Sequence, residues 1–398
     1  MQLTGKTVVV GISGGIAAYK AAQLVSDLHK TGAEVHVIMT KNACEFITPL
    51  TFETLSGNRV SVDTFDRNFE YHVEHVSLAK KADVFLVAPA TANVLAKIAA
   101  GIADDMLTTT ILAARCPKIV APAMNTGMYD NPITQRNLET LRSYGMQVVE
   151  PDSGLLACGD SGRGRLPETS VLLESVYRAL AKQDLCGLRV LVTAGPTREA
   201  LDPVRFISNH STGKMGYQLA AAAVRRGAQV TLVSGPVSLA PPQGAQLVPV
   251  SSAAEMFQAV SSRASQQDLI IKCAAVADYT PATTAPEKMK KSEGALSVQL
   301  ERTQDILGWL GAHRTPGQLL CGFSMETRDL LENSAAKLER KKVDMIVANN
   351  LRDAGAGFGT DTNLVTILTK AGAEPLPLMG KDEVANQLLD RLLAMRQG

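Results

Sequence analysis

Two near-continuous apolar runs, residues 82–92 (ADVFLVAPATA) and 267–277 (QDLIIKCAAVA), constrain this chain more than any other feature. Neither alternates polar with apolar residues, so neither suits a strand with one face in water. Each suits a strand of a parallel sheet covered by helices on both faces. The sequence before each run follows one scheme. Residues 6–12 (KTVVVGI) form a β-branched run around Gly11, followed by a helical pattern over about 16–29, a Thr31-Gly32-Ala33 turn and a second strand at 34–39. Residues 188–195 (LRVLVTAG) repeat this, with a helical pattern over about 214–226, Gly227-Ala228, and a strand at 229–234. Strand, helix and strand in alternation predict an α/β fold with two doubly wound, Rossmann-like domains. A helical pattern over 169–182 and the short polar KQDLCG place the boundary near 182–190, giving domains 1–189 and 190–398. Residues 382–396 put Val384, Leu388, Leu389, Leu392 and Leu393 on one helical face, which caps the second domain.

Charge and cysteine usage narrow the function classes. The net charge of +1 gives no field for nucleic acid or an anionic membrane surface. The N-terminal MQLTGKTVVV runs from polar residues straight into a strand pattern, so no secretory signal is expected. The apolar stretch over 84–103 is interrupted by Pro89, Asn93 and Lys97, which argues against a membrane span. Six cysteines, at 44, 116, 158, 186, 273 and 321, form no CxxC pair. Zinc and thioredoxin-like readings lose support, and a cytoplasmic chain with reduced thiols is expected. No pattern marks the ligands of a metal ion.

The loop after the first strand, Gly11-Ile12-Ser13-Gly14-Gly15, suits either a bound phosphate at a helix start or a plain tight turn. It is not GxGxxG, and Met39-Thr40-Lys41 stands where a ribose-binding acid is expected, so a mononucleotide fits better than NAD. Three further segments follow strands or fold as loops: Pro89-Ala90-Thr91-Ala92-Asn93, Pro122-Ala123-Met124-Asn125, and the glycine-rich 154–165 with Cys158.

Together SGGIAAYK (13–20), Met39-Thr40, His75, APATAN (88–93), PAMN (122–125) and ACGD-SGRGR (157–165) resemble the homo-oligomeric flavin-containing cysteine decarboxylases. The resemblance spans nearly all of 1–180. It implies a flavodoxin-like domain that binds FMN and decarboxylates phosphopantothenoylcysteine. Ser13, Gly14, Gly15, Thr40, Pro89, Thr91 and Ala92 would contact FMN. His75 would be the base, Asn125 would hold the substrate carboxylate, and Cys158, on a flap, would protonate the enethiol. His72, three residues earlier, shows how little a single histidine signals without the following HVSLAK pattern. The chemistry suits a flavin, because an unactivated carboxylate loses CO2 only when an oxidised neighbouring thiol supplies an electron sink.

In the second half, GPTREALDPVRFISNHSTGKMG (195–216) is long for a strand-to-helix connection. Ser211-Thr212-Gly213-Lys214 is no Walker A motif, since Ser208 replaces the first glycine and Met215 follows the lysine. This loop resembles phosphopantothenate–cysteine ligase, as do AAVADY (274–279), APEKMKK (285–291), Gly322-Phe323, the lysine-rich segment 337–349, and GF-T (357–360) in the tail. The resemblance covers roughly 188–398. It implies activation of 4′-phosphopantothenate by CTP to an acyl-cytidylate, usually with Mg2+, and then attack by cysteine. Lys288 would meet the triphosphate and Asn209 would hold the acyl-cytidylate. Ala274, Ala275, Asp278, Gln304, Asp305, Ile306, Leu307, Phe323, Lys337 and Lys341 would form the nucleotide site. The family usually has Asn-Pro before Asp-Ile, where this chain has Thr303-Gln304. Trimers of the flavin domain built into a dodecamer, FMN between protomers, and ligase dimers are also implied. A protein with only the flavin site active, or a flavin-binding scaffold with dead sites, is disfavoured by the intact motifs in both halves.

Overall fold

The computed structural model describes residues 2–65, 74–290, 296–326, 330–350, 357 and 359–397. The chain forms two compact units, Met1–Ala181 and Lys182–Gly398. His72, Lys291 and Phe358 lie outside the described residues.

In the first unit β1 (Thr7–Ile12), β2 (Glu34–Met39), β3 (Val84–Ala90), β4 (Lys118–Pro122) and β5 (Gln147–Val148) form a parallel sheet in the order β2-β1-β3-β4-β5. Every residue of β1 and β3 is buried, which is why neither alternates in sequence. Val8, Val10 and Ile12 point into the core on one face of the sheet and Val9 into the core on the other. The helix Ala18–Lys30 covers the first face through Ala18, Ala21, Leu24, Val25 and Leu28, a helical stripe. The helices Ala92–Ala100 and Met106–Ala113 cover the second. The glycine-rich segment read as a loop is instead an antiparallel hairpin of β6 (Asp152–Leu155) and β7 (Ser161–Arg165). Gly164 in β7 has φ 140°, and a Cβ there would lie 2.1 Å from the Met124 carbonyl oxygen, so both the backbone and the space call for glycine.

The second unit contains β8 (Arg189–Ala194), the small hairpin β9 (Arg198–Ala200) and β10 (Phe206–Ser208), β11 (Gln229–Ser234), β12 (Ala245–Pro249), β13 (Leu269–Lys272), the pair β14 (Tyr279–Pro281) and β15 (Leu300–Arg302), β16 (Leu319–Glu326), β17 (Met345–Asn350), β18 (Thr362–Asn363), β19 (Val365–Thr369) and β20 (Gly372–Pro375). Its main sheet runs β12-β11-β8-β13-β16-β17-β19-β20. The first six strands are parallel, in the order of a dinucleotide-binding fold. The edge departs from the expected parallel pattern: β19 pairs antiparallel with β17, and β20 pairs antiparallel with β19 through a tight hairpin rather than a helical crossover. The helix Lys381–Gln397 buries Val384, Leu388, Leu389 and Leu392, and Leu393 is half-buried beside them. Residues 182–188, expected before the boundary, pack with this unit. Leu185 is fully buried in its core, and Asp184 makes two 2.8 Å bonds to the buried Arg226. Among the described residues no helix is long and apolar enough to cross a membrane.

Candidate active sites

In a doubly wound sheet, ligands bind at the carboxyl edge where the strand order reverses. In the first unit that point lies between β1 and β3. The two loops there are fastened by Ser13, whose hydroxyl donates to the Pro89 carbonyl (2.7 Å) and accepts the Thr91 N–H (2.9 Å). Ser13 is fully buried, so its side chain shapes the loops and does not face a ligand. A cleft of about 1130 Å3 opens above them, lined by Gly14, Gly15, Thr40, Thr91, Ala92, Asn125 and Cys158. A Cβ on Gly15 would meet only Thr91 at 3.6 Å, which leaves its backbone open to the cleft. A Cβ on Gly14 would lie 2.4 Å from the Asn42 Cβ. Thr40 and Thr91 are N-caps: their hydroxyls accept from Ala43 (3.2 Å) and Val94 (3.5 Å). Gly14→Ala must push the 40–42 turn away, at a cost of about 1–3 kcal/mol. The purified variant should lack the flavin absorbance of the parent, and a fully flavin-loaded variant would refute this account of the turn.

The hairpin of β6 and β7 closes one side of the cleft. Met124 N–H donates to the Gly164 carbonyl (3.0 Å), which seats the hairpin on the 122–125 segment. Asn125 Oδ1 accepts from Gly127 N–H (2.8 Å), so its amide nitrogen faces the hairpin. That nitrogen donates to Cys158 Sγ (3.3 Å) and to Asp160 Oδ2 (2.8 Å), and the Cys158 thiol donates to the same oxygen (3.4 Å). Asp160 was given no role from sequence, although the ACGD motif contains it. Its position beside both Asn125 and Cys158 appears only once the hairpin folds over. His75 lies on the helix Glu74–Lys81, half-buried, and does not line the cleft of its own chain.

The second unit has its switch point between β8 and β13. Thr193 Oγ1 accepts from Ala274 N–H (3.1 Å) and Thr197 Oγ1 from Ala277 N–H (3.0 Å), while Ala275 N–H donates to the Gly195 carbonyl (2.9 Å). The exposed Asn209 donates to the Ala275 carbonyl (2.9 Å). Thr303 donates through its hydroxyl to the Ala277 carbonyl (2.6 Å) and through its N–H to the Asp278 carbonyl (3.0 Å), tying these two loops together. Gln304 is exposed, and Ile306 and Leu307 are buried at the start of the helix Ile306–Ala312. Asp305 caps that helix through Gly308 N–H (3.0 Å) and pairs with Lys341. Burial alone would raise its carboxyl, but the Lys341 ammonium and the Gly308 N–H hold it below the ordinary range. Lys337 donates to the Phe323 carbonyl (3.2 Å) and Ser324 Oγ (3.4 Å). Lys272 was missed from sequence because it closes an apolar strand. It donates to the Ala274 carbonyl (3.3 Å), and burial, with Lys337 beside it, lowers its ammonium from 10.5 to about 8. Lys288 and Asp278 are exposed. Among the described residues no three His, Cys, Asp or Glu side chains converge as a metal site.

A flavoprotein unit followed by a ligase-type unit defines the class. Residues 1–181 match the family described as Flavoprotein, and residues 185–395 match the DNA/pantothenate metabolism flavoprotein C-terminal domain. The coenzyme A biosynthesis bifunctional protein CoaBC of Bacillus subtilis is 50% identical over 399 residues, covering 99% of this chain and 98% of that protein. The protein of the same description from Escherichia coli K12 is 45% identical over 397 residues, covering 99% and 98%. A crystal structure of the C-terminal domain of a CoaBC protein shares 43% identity over 54% of this chain and 99% of its own, with a TM-score of 0.47. The FMN-dependent cysteine decarboxylase SpaF shares 34% identity over 44% of this chain and 99% of its own, with a TM-score of 0.38. The chain belongs to the family of bifunctional coenzyme A biosynthesis proteins. It is an enzyme with a decarboxylase in its flavoprotein unit and a phosphopantothenate–cysteine ligase in its second.

Proposed function

We propose that the second unit acts first, joining 4′-phosphopantothenate to cysteine with CTP and Mg2+, and that the first unit then decarboxylates phosphopantothenoylcysteine to 4′-phosphopantetheine with FMN. The observation that carries this reading is that the switch point of each unit gathers residues that the motifs single out: Gly14, Gly15, Asn125 and Cys158 around the cleft of the first, and Asn209 on the Ala275 carbonyl in the second.

FMN fits the first site: the cleft has the volume of a small-molecule pocket, and its glycine floor leaves backbone open to a phosphate. When bound, the flavin would oxidise the substrate thiol, and the oxidised sulfur would then be the electron sink for loss of CO2. The protein's own groups do the rest. Asn125 has both N–H donors aimed at the hairpin, at the height where a substrate carboxylate would replace Asp160. Cys158 sits within reach of the same point and delivers the proton. His75, outside its own chain's cleft, serves as base in the cleft of a neighbouring copy, which supports a homo-oligomer of flavin trimers built into a dodecamer. A cytoplasmic location follows from the substrates.

In the second site Lys288 meets the triphosphate, while Lys272, Lys337 and Lys341 surround the nucleotide with positive charge. Mg2+ would enter with the triphosphate, needing only one or two carboxylates from the protein. Asn209 holds the acyl-cytidylate for attack by the cysteine amine. Purified protein given 4′-phosphopantothenate, cysteine, CTP and Mg2+ should release pyrophosphate, CMP and CO2; release of only some of these would sink the two-step reading.

Lys272 gives a pH test. Its ammonium is held near 8 while the site is empty of anions, and a triphosphate beside it would raise that value. Binding at pH 8–9 should therefore take up a proton, and CTP affinity should fall as pH rises through 8. Calorimetry in buffers of different ionisation enthalpy reads the uptake directly. A binding enthalpy independent of buffer would remove Lys272 from the site.

A further inference from the structure

Asp202 lies in the long connection between β8 and the helix Lys214–Arg225. Its side chain is completely buried, an unusual place for a carboxylate unless it is fully paired. Oδ1 accepts the backbone N–H groups of Val204 and Arg205, each at 2.8 Å. Oδ2 accepts the N–H of Met289 (3.1 Å) and the guanidinium of Arg205 (2.9 Å). The same guanidinium nitrogen donates to the Met289 carbonyl (2.9 Å). One ion pair thus holds both backbone polar groups of Met289, the residue after Lys288. The segment is fastened upstream as well: Ala285 N–H donates to the Leu201 carbonyl (3.0 Å), and the Thr284 hydroxyl to the Ala200 carbonyl (3.2 Å).

These bonds have a functional consequence. Lysine on an exposed loop samples many rotamers and many backbone positions, and fixing the backbone removes much of that freedom before a ligand arrives. The bonds of the Asp202 carboxylate run to the loops that carry Arg205 and Lys288. We propose that Asp202 is a positioning residue for the ligase's first step, holding Lys288 where a nucleoside triphosphate meets it. The proposal rests on the reading of Lys288 given above.

Asp202→Asn isolates this role. An asparagine keeps the volume, but whichever way its amide is turned, the NH2 faces two donors. On one side these are the Val204 and Arg205 N–H groups, and on the other the Met289 N–H and the Arg205 guanidinium. In the full-length protein, pyrophosphate release from CTP and 4′-phosphopantothenate should fall between about ten- and a hundredfold, the cost of misplacing a catalytic group by roughly an ångström. Combined with Lys288→Gln, it should slow the reaction no further than Lys288→Gln alone, because both changes remove one contribution. A general structural defect would instead multiply with Lys288→Gln. Trp309, the chain's only tryptophan, packs edge-on against Phe257 in the second unit, so its emission tells whether that unit stays folded. If Asp202→Asn unfolds it, Arg205→Gln, which removes the guanidinium bonds to Asp202 and to the Met289 carbonyl, is put through the same cycle. Parental rates in the Asp202 or Arg205 variant, or multiplicative effects in the double variant, overturn the proposal. Lys288→Gln alone running at the parental rate overturns the reading of Lys288, and the proposal with it.

Discussion

Cys158→Ser protein should release pyrophosphate and CMP at the parental rate, while CO2 release falls by at least about a hundredfold, the usual contribution of a positioned acid. Serine preserves the size of the side chain and can keep the bonds that Cys158 makes to Asn125 and Asp160, so the hairpin should still close. What is lost is acidity, since a hydroxyl is a far weaker proton donor than a thiol. The variant should retain flavin and should accumulate the unsaturated thiol that has lost CO2 but has not received the proton and the returning electron pair that would saturate it, wherever CO2 loss still occurs. Carbon dioxide and pyrophosphate measured on the same sample decide the matter. Parental decarboxylation would remove Cys158 from the chemistry. A parallel fall in pyrophosphate would contradict the assignment of the two reactions to separate units.

Lys288→Gln should do the reverse. Pyrophosphate release should drop by about a hundred- to a thousandfold, the typical loss when one preorganised charge partner of a transition state is removed. Decarboxylation of phosphopantothenoylcysteine supplied directly should not change, because Lys288 belongs to the other compact unit. Glutamine keeps most of the length and loses the charge, so the backbone bonds of Met289 to Asp202 and Arg205 should survive. The effect should fall mainly on the first step. Pyrophosphate release at the parental rate would show that the exposed lysine is a solvated surface group.

Much of the fold was legible because burial on both faces writes a distinct pattern. The strands β1, β3, β8 and β13 carry runs that only a covered parallel sheet explains, and the glycines that follow them mark the turns into helices. The antiparallel edge of the second sheet was not legible, since β19 and β20 alternate too little over their short lengths to reveal direction. The hairpin carrying Cys158 is hidden in the sequence for a related reason. Its strands hold three glycines, and glycine is a poor strand former whose backbone here is held by close packing on Met124 and Thr126.

The site residues divide in the same way. Gly14, Gly15, Asn125, Cys158, Asn209 and Lys288 stand out in the sequence because each sits in a motif that follows a strand. Asp160, Lys272 and Asp202 do not stand out, since an acid in a glycine-rich segment, a lysine at a strand end and an acid before proline are all ordinary in sequence. Only tertiary contacts give them meaning: a shared oxygen between Asn125 and Cys158, an ammonium lowered by burial beside Lys337, and a carboxylate that reaches 87 residues along the chain to Met289. The order of residues by itself determined two α/β units and the loops that carry their chemistry, because periodicity and turn chemistry are local. Which charged groups meet, which are buried and which face a ligand was decided by the folded chain, because those energies depend on neighbours far away in sequence.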